Sequence, residues 1–476
     1  MSSQIPAIDP RLLEDIRAGN CVAFVGAGFS AAAGLPPWPE LVRSVARALP
    51  PAERAIHQPT IDQLLGEDGS APRYAHRELE MAAQLLFDAV GEERCRGLLR
   101  ETLQTERLPE PMQLRLKHLL GIPFRAIVTT NFDPLLPGVP PDAVAYRRLL
   151  RADRHGPWRE AILRAALGLD TDLSRTTVDT PDRPVVQLHG TLVHDATLVF
   201  TRSQYRRRLY ANPAYLTVLK ALLATSTVLF LGYSMRDAYL NELRAELVEA
   251  FQTSEAAILD PAGSDPTLAT LRRPLAWAVL EDVSEVARAY YERHEGLGVL
   301  PYETGPGRGD HAGFDAILAR IYGETNPVHR LGQLLRGRRL LWLDPSPEHN
   351  ALGRQLLNAA VAEVEGASVD VSGHLVEVAT VPEALAVLRQ TPQACDFVVT
   401  HWGHGQGPAG LSNAETLLRE VAEARAGGLA MPPVVVFAGG GHEAENRVRA
   451  LRLGAIGYTS DWSALMAVIE RVLVEA

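Results

Sequence analysis

At 476 residues, with 46% hydrophobic and 22% charged positions, the chain is too long for one ordinary core and too apolar for disorder, so two or three globular domains are expected. A formal net charge of −10 excludes a protein whose main surface wraps nucleic acid, since phosphate neutralisation needs clustered Lys and Arg; direct nucleic-acid binding is not expected. Cys21, Cys95 and Cys395 have no close pairing, which supports neither a disulfide framework nor a structural zinc site, and no apolar run reaches signal-peptide or membrane-spanning character, so a cytoplasmic protein is predicted.

In chain order, Cys21–Val25 reads as a short buried strand that ends on Gly26-Ala27-Gly28, followed by a helix over 39–50. Residues 51–120 are helical by pattern, and the next strand is Phe124–Thr130, running into Asn131-Phe132-Asp133. The stretch 139–183 is irregular and rich in Arg and Asp. A strand at Pro184–Leu188 meets His189-Gly190, and Thr227–Leu231 runs into Gly232-Tyr233-Ser234. A last strand at Gly298–Tyr302 precedes a helix over 311–322. Polar residues thus recur at the carboxyl ends of apolar strands, where open parallel α/β sheets bind ligands. Arg202–Arg208, with Tyr205 and Tyr210, is one candidate basic patch; its aromatic and cationic mixture could hold a nucleic-acid strand, but it reads first as a solvated helix face beside an anionic cofactor.

Residues 326–337 read as a linker, after which LLWLD, VEVAT, DFVVTHW, VVVFAGG and IGYT alternate with helices over 338–476. Each crossover is long enough for a helix, so this segment is a second doubly wound domain of flavodoxin-like order.

Gly26-Ala27-Gly28-Phe29-Ser30 is a nucleotide-type turn, in which absent side chains let backbone N–H groups approach a diphosphate. Alone it is a weak signal. Four motifs in order make it stronger: GAGFSAAAGLPPW (26–38), TTNFD (129–133), LHG (188–190) and FLGYSMRD (230–237). In this order and at these strand ends, residues 10–325 resemble sirtuins, in particular the bacterial sirtuin-like NAD hydrolases of antiviral defence.

The resemblance implies a sirtuin-like Rossmann domain with helical insertions over 1–325, followed by a flavodoxin-like or receiver-like doubly wound domain. NAD is the implied substrate. Gly26, Ala27, Gly28 and Ser30 would bind its phosphates, Trp38 would cover the nicotinamide, and Gly232 and Ser234 would line the adenosine half. Asn131 and Asp133 match a polar pair beneath the nicotinamide ribose, and His189 matches the family's catalytic histidine. Breaking the nicotinamide–ribose bond leaves an oxocarbenium-like sugar, so the site must hold the ribose, exclude bulk water and admit one nucleophile. An imidazole, with a reference pKa of ~6.5, can accept a proton from a ribose hydroxyl or from water, and an asparagine can orient either without forming an adduct. Asp133 would stabilise positive charge or hold the loop.

Two departures from deacylating sirtuins bear on the reaction. The chain has no CxxC pair for a structural zinc, so no zinc is expected, and Pro37-Trp38-Pro39 replaces the acidic residue and arginine that flank the aromatic in those enzymes. Water is then the expected acceptor, giving nicotinamide and ADP-ribose, linear or cyclised. A protein deacylase and a non-catalytic NAD-binding sensor are the alternatives. The family also implies abortive infection by NAD depletion, homo-oligomers, and defence partners such as a helicase-like ATPase or an Argonaute.

The last domain resembles a degenerate response-regulator receiver: Asp344 is at the acidic corner, but His401 is where the phosphate-accepting aspartate would stand, and Asp461 where the lysine would. It is therefore expected to serve interaction or oligomerisation, with small-ligand sensing at Gly439-Gly440-Gly441 as the alternative. His401 and His404 lack a Cys or acidic partner nearby, so a loop is expected there rather than a metal site.

Overall fold

Every residue of Cys21–Val25 (β1) is buried, because the strand is covered on both faces: Cys21, Ala23 and Val25 enter one hydrophobic cluster, and Val22 and Phe24 enter the other. That is the pattern of a central strand in a parallel sheet. The computed structural model describes residues 6–65, 76–105, 107–136, 138, 145, 149, 184–192, 197–211, 213–235, 238–259, 274–304, 311–346, 351–366, 373–390, 395–403, 411–438 and 442–475. Most of the 139–183 stretch, His404 and Gly439–Gly441 lie outside them. The chain divides into two units, Met1–Trp158 with Asp172–Tyr322, and Arg159–Thr171 with Gly323–Ala476.

In the first unit β1 is joined by β2 (Ala126–Thr129), β3 (Val185–Gln187), β4 (Thr227–Leu231), β5 (Ala276–Glu281) and β6 (Leu297–Tyr302). The order is β3-β2-β1-β4-β5-β6, and every pairing is parallel. This is the Rossmann order, with its reversal between β1 and β4. One face carries α1 (Pro10–Arg17), α2 (Ala27–Ser30), α3 (Trp38–Arg47), α4 (Pro51–Leu65), α5 (His76–Val90), α6 (Glu92–Thr102) and α7 (Glu110–Gly121). The opposite face carries α8 (Arg202–Ala211), α9 (Pro213–Thr225) and α10 (Ala238–Leu259). α11 (Glu285–His294) links β5 to β6, and α12 (Ala312–Thr325) returns to the first face through Phe314, Ile317, Leu318 and Ile321.

β5 is a strand that the sequence pattern did not single out. Its Ala276–Leu280 run is apolar and buried on both faces, so it shows no alternation, and β6 pairs along its whole length.

The second unit contains α13 (Pro327–Leu335), β7 (Leu340–Leu343), α14 (Ala351–Glu365), β8 (Leu375–Val378), α15 (Val381–Gln390), β9 (Phe397–Thr400), α16 (Asn413–Ala426), β10 (Val434–Phe437), α17 (Glu443–Arg452), β11 (Gly457–Thr459) and α18 (Trp462–Glu475). Its parallel sheet runs β11-β10-β9-β7-β8, which in this unit's own count is the doubly wound order 2-1-3-4-5. Residues 327–335, expected to be linker, are instead a helix of this unit. Asn326 caps it by accepting from the His329 amide at 2.8 Å, and Pro327 occupies the first turn, where no donor is needed. Val328, Leu331 and Leu335 are buried, and Arg330 pairs with Glu470 of α18. A Cβ on Gly332 would collide with the Ala360 carbonyl, so α13 and α14 touch backbone to backbone.

Two contrasts test these contacts. Gly232→Ala meets both a positive φ of 61° and the Phe29 backbone, whereas Gly34→Ala meets φ 77° with open space around it. Gly34→Ala is expected to cost about 1–2 kcal/mol, and Gly232→Ala more than about 3 kcal/mol, in urea denaturation. In the second unit Gly332→Ala should destabilise by about 2 kcal/mol or more through overpacking, while Gly337→Ala, φ 69° with nothing nearby, should cost less; equal costs would show that α13 is not held in this way.

Candidate functional site

The turn after β1 and the turn after β4 meet at the sheet's point of reversal. The Gly26 amide donates to the Leu231 carbonyl and the Gly28 amide to the Gly232 carbonyl, both at 2.9 Å. A Cβ on Gly26 or Gly28 would stand 2.6 or 2.9 Å from the Gly232 oxygen. The glycines are therefore required by this backbone-on-backbone packing, whatever the turn binds, and the two amides are engaged within the protein. Ala27 opens α2 half-buried, and Ser30 at its end is buried.

Asn131, 6% exposed, hangs from the end of β2 over this junction. Its amide donates to Thr129 Oγ1 at 3.0 Å, and Thr129 Oγ1 in turn donates to the Val25 carbonyl at 3.0 Å. Its Nδ2 donates to the Gly26 carbonyl at 3.2 Å and to Ser30 Oγ at 3.0 Å, and Ser30 Oγ donates to Asp133 Oδ2 at 2.7 Å. A carbonyl can only accept, so the Gly26 contact settles which way the Asn131 amide faces. Asn131 Oδ1 is left buried without a hydrogen-bond partner among the described residues. Asp133 Oδ1 accepts from the Leu135 amide at 3.1 Å, so both of its oxygens hold the loop. Burial pushes the Asp133 carboxyl above the ordinary carboxylate range, against the bonds from Ser30, Leu135 and Asn131 that favour the ionised form.

His189, 6% exposed, follows β3 directly. Its ring lies between Phe132, with centroids 6.3 Å apart, and Tyr205 of α8, edge-on at 5.5 Å. Tyr205 is buried, and the Arg208 guanidinium donates to the Thr197 carbonyl at 2.7 Å. The basic patch is thus a mostly polar helix whose buried Tyr205 lies beside His189. Trp38 is the first residue of α3 and packs, half-buried, on the first-face core. Gly232 is half-buried and Ser234 exposed; between them Tyr233 stacks on Phe24 and Phe230, with centroids 5.2 and 5.5 Å away.

Thr129, Tyr205 and Arg115 have a place in this site that sequence motifs did not assign. Arg115 on α7 is 2% exposed and grips the turn from behind, donating to the Phe29 carbonyl at 2.7 Å and to both oxygens of Asp315. The three cysteines are buried, and burial pushes the Cys95 thiol up to about 12, so it is no nucleophile at neutral pH.

With this geometry in view, residues 125–282 match the family model described as SIR2-like domain. The matched SIR2-like segment runs from β2 to the end of β5, so it includes Asn131, Asp133, His189, Gly232 and Ser234, while Gly26–Ser30 and Trp38 precede it. Two curated proteins are also similar: "NAD(+) hydrolase ThsA" of Enterococcus faecium, 25% identical over 241 residues, and "Defense-associated sirtuin 2" of Bacillus subtilis, 22% identical over 235. These matches cover 50% and 49% of this chain, and 42% and 20% of those proteins.

In the second unit, Asp344 ends β7 and accepts from the Ser346 amide at 2.8 Å; His401 follows β9, its Nδ1 accepting from the Gly403 amide at 3.0 Å. Asp461 accepts from the Ala464 amide at 2.8 Å, at the start of α18. No helix among the described residues is long and apolar enough to cross a membrane.

The raised Asp133 carboxyl has a testable consequence. The folded protein binds this proton more tightly than the unfolded chain, so the associated stability is present below the unfolded value of ~3.9 and is lost as pH rises through the raised folded value. Urea melts of wild type and Asp133→Asn between pH 3.5 and 7 should show wild type losing ground to the variant as pH rises. A difference that does not vary with pH would mean that burial imposes no charge penalty here.

Proposed function

We propose that this chain is an NAD hydrolase that breaks the bond between nicotinamide and the ribose with water as acceptor, giving nicotinamide and ADP-ribose. The observation that carries the reading is the buried Oδ1 of Asn131, which has no hydrogen-bond partner among the described residues. An unsatisfied buried acceptor costs about 1–3 kcal/mol, and a ribose hydroxyl or the attacking water would satisfy it. The amide cannot turn away, because Gly26 and Ser30 hold its other end. Its place at the reversal between β1 and β4 is where a Rossmann sheet takes a dinucleotide.

In this reading Asn131 orients the nucleophile, and His189, fixed between two aromatic rings, takes its proton as the C–N bond breaks and the oxygen bonds to C1 of the ribose. Asp133 acts through Ser30, holding the Asn131 amide rather than meeting the sugar. Ala27 and the surrounding turn receive the diphosphate, Trp38 covers the nicotinamide, and Gly232 and Ser234 border the adenosine. Similarity to an NAD hydrolase and a defence-associated sirtuin supports a role in defence by NAD depletion, and the proposal places that role in the cytoplasm and in an oligomer. The strand order of the second unit, with Asp344 and His401 at strand ends, supports a degenerate receiver-like module that recruits copies or partners.

The test is nicotinamide release from NAD without any acyl peptide, over a range of protein concentrations. Wild type should turn over, and Asn131→Ala and His189→Ala should each lose roughly 10²-fold or more in kcat. Tight NAD binding without turnover at any concentration, or release only when an acyl-lysine peptide is added, would overturn the hydrolase.

A further inference from the structure

We infer that Arg115 and Asp315 are a positioning pair for dinucleotide affinity: from outside the catalytic cluster they set the geometry of the Gly26–Ser30 turn. The inference rests on the NAD reading above.

Four contacts converge on one buried guanidinium. Nε and Nη2 of Arg115 donate to Asp315 Oδ1 and Oδ2 at 2.7 and 2.9 Å, a two-pronged pair. Nη1 donates to the carbonyls of Phe29 at 2.7 Å and Gly28 at 3.4 Å. The charge lies over the rings of Phe314 at 4.7 Å and Phe29 at 5.8 Å. An arginine that is 2% exposed loses nearly all its hydration, so these partners hold it in one place, and it holds them.

The turn is thereby pinned from both sides. Toward the sheet its amides go to Leu231 and Gly232; away from the sheet its carbonyls go to Arg115. Asp315 is in the first turn of α12, so the pair ties the glycine turn to the helix that follows β6, across the half of the sheet beyond the reversal. Asn131 has a separate anchor in Thr129 Oγ1. Arg115 takes the carbonyls of Gly28 and Phe29, whereas the Asn131 side chain is held by the Gly26 carbonyl and Ser30 Oγ, so loosening Arg115 should shift the Gly28–Phe29 backbone relative to bound NAD more than it moves Asn131 or His189. The effect falls on binding rather than on turnover. Lysine keeps the charge but cannot serve a carboxylate with two prongs and a carbonyl at once, so it is a graded probe. Asp315 is 35% exposed, so Asp315→Asn removes the counter-charge with little change of shape.

The experiment uses the full chain and NAD itself. KM and kcat are measured for wild type, Arg115→Lys, Arg115→Gln and Asp315→Asn. NAD Kd is measured by calorimetry with each substitution in an Asn131→Ala background, where cleavage is suppressed, and each melting temperature is recorded. Arg115→Lys and Asp315→Asn should raise KM and Kd about tenfold, Arg115→Gln more than Arg115→Lys, with kcat within about twofold of wild type. Lower melting temperatures with unchanged KM and Kd, or a fall in kcat alone, would make the pair merely structural and overturn the inference. A wild type that binds no NAD would overturn the NAD reading itself, and this inference with it.

Discussion

The contact on which the site depends is the packing of one glycine turn on another. β1 and β4 are neighbours at the reversal of the sheet, and beyond them the backbone of Gly26–Phe29 lies on Gly232 with no side chain between. Two amide–carbonyl bonds close the junction. Each further part of the site is hung on it: Asn131 reaches the Gly26 carbonyl, Ser30 follows the same turn, and Arg115 takes the carbonyls on the far side. A single added methyl at the junction would move all of them together.

Within that frame the hydrogen bonds have one direction. Asp133 accepts the hydrogen bond from Ser30, Ser30 accepts from Asn131, and the Asn131 oxygen is left buried without a partner among the described residues. In the proposed reaction the carboxylate would act through Ser30 without touching substrate. Burial opposes its charge while the hydrogen bonds to it favour it, so its ionisation, and with it the polarity of the chain, is a balance set by the fold.

The surrounding helices do a different task. α3 to α7 cover one face of the sheet, and through Leu119, Phe124 and Phe314 the first-face core reaches the back of the turn. α8 supplies Tyr205 to the wall beside His189. With both Asn131 and His189 about nine-tenths buried or more, bulk water has little access to either, as the proposed cleavage would require.

Strand, glycine turn and the polar residues at strand ends were legible in the sequence, because a buried parallel strand must be a short apolar run and a close backbone approach admits only glycine. The five strands of the second unit were legible for the same reason. The ordered motifs pointed to Asn131, Asp133 and His189 through chemistry and resemblance. Tertiary structure alone decided the rest: that β5 completes the sheet, that 327–335 is a capped helix rather than a linker, and that Arg115, 86 residues from Phe29 and 200 from Asp315, closes on both. It also decided that Ser30 and Asp133 support Asn131 within one buried chain of bonds. Local pattern reports burial and turn chemistry over a few residues; which distant donor meets which acceptor is settled only when the sheet order brings them within 3 Å, as Ser30 and Asp133 are at 2.7 Å.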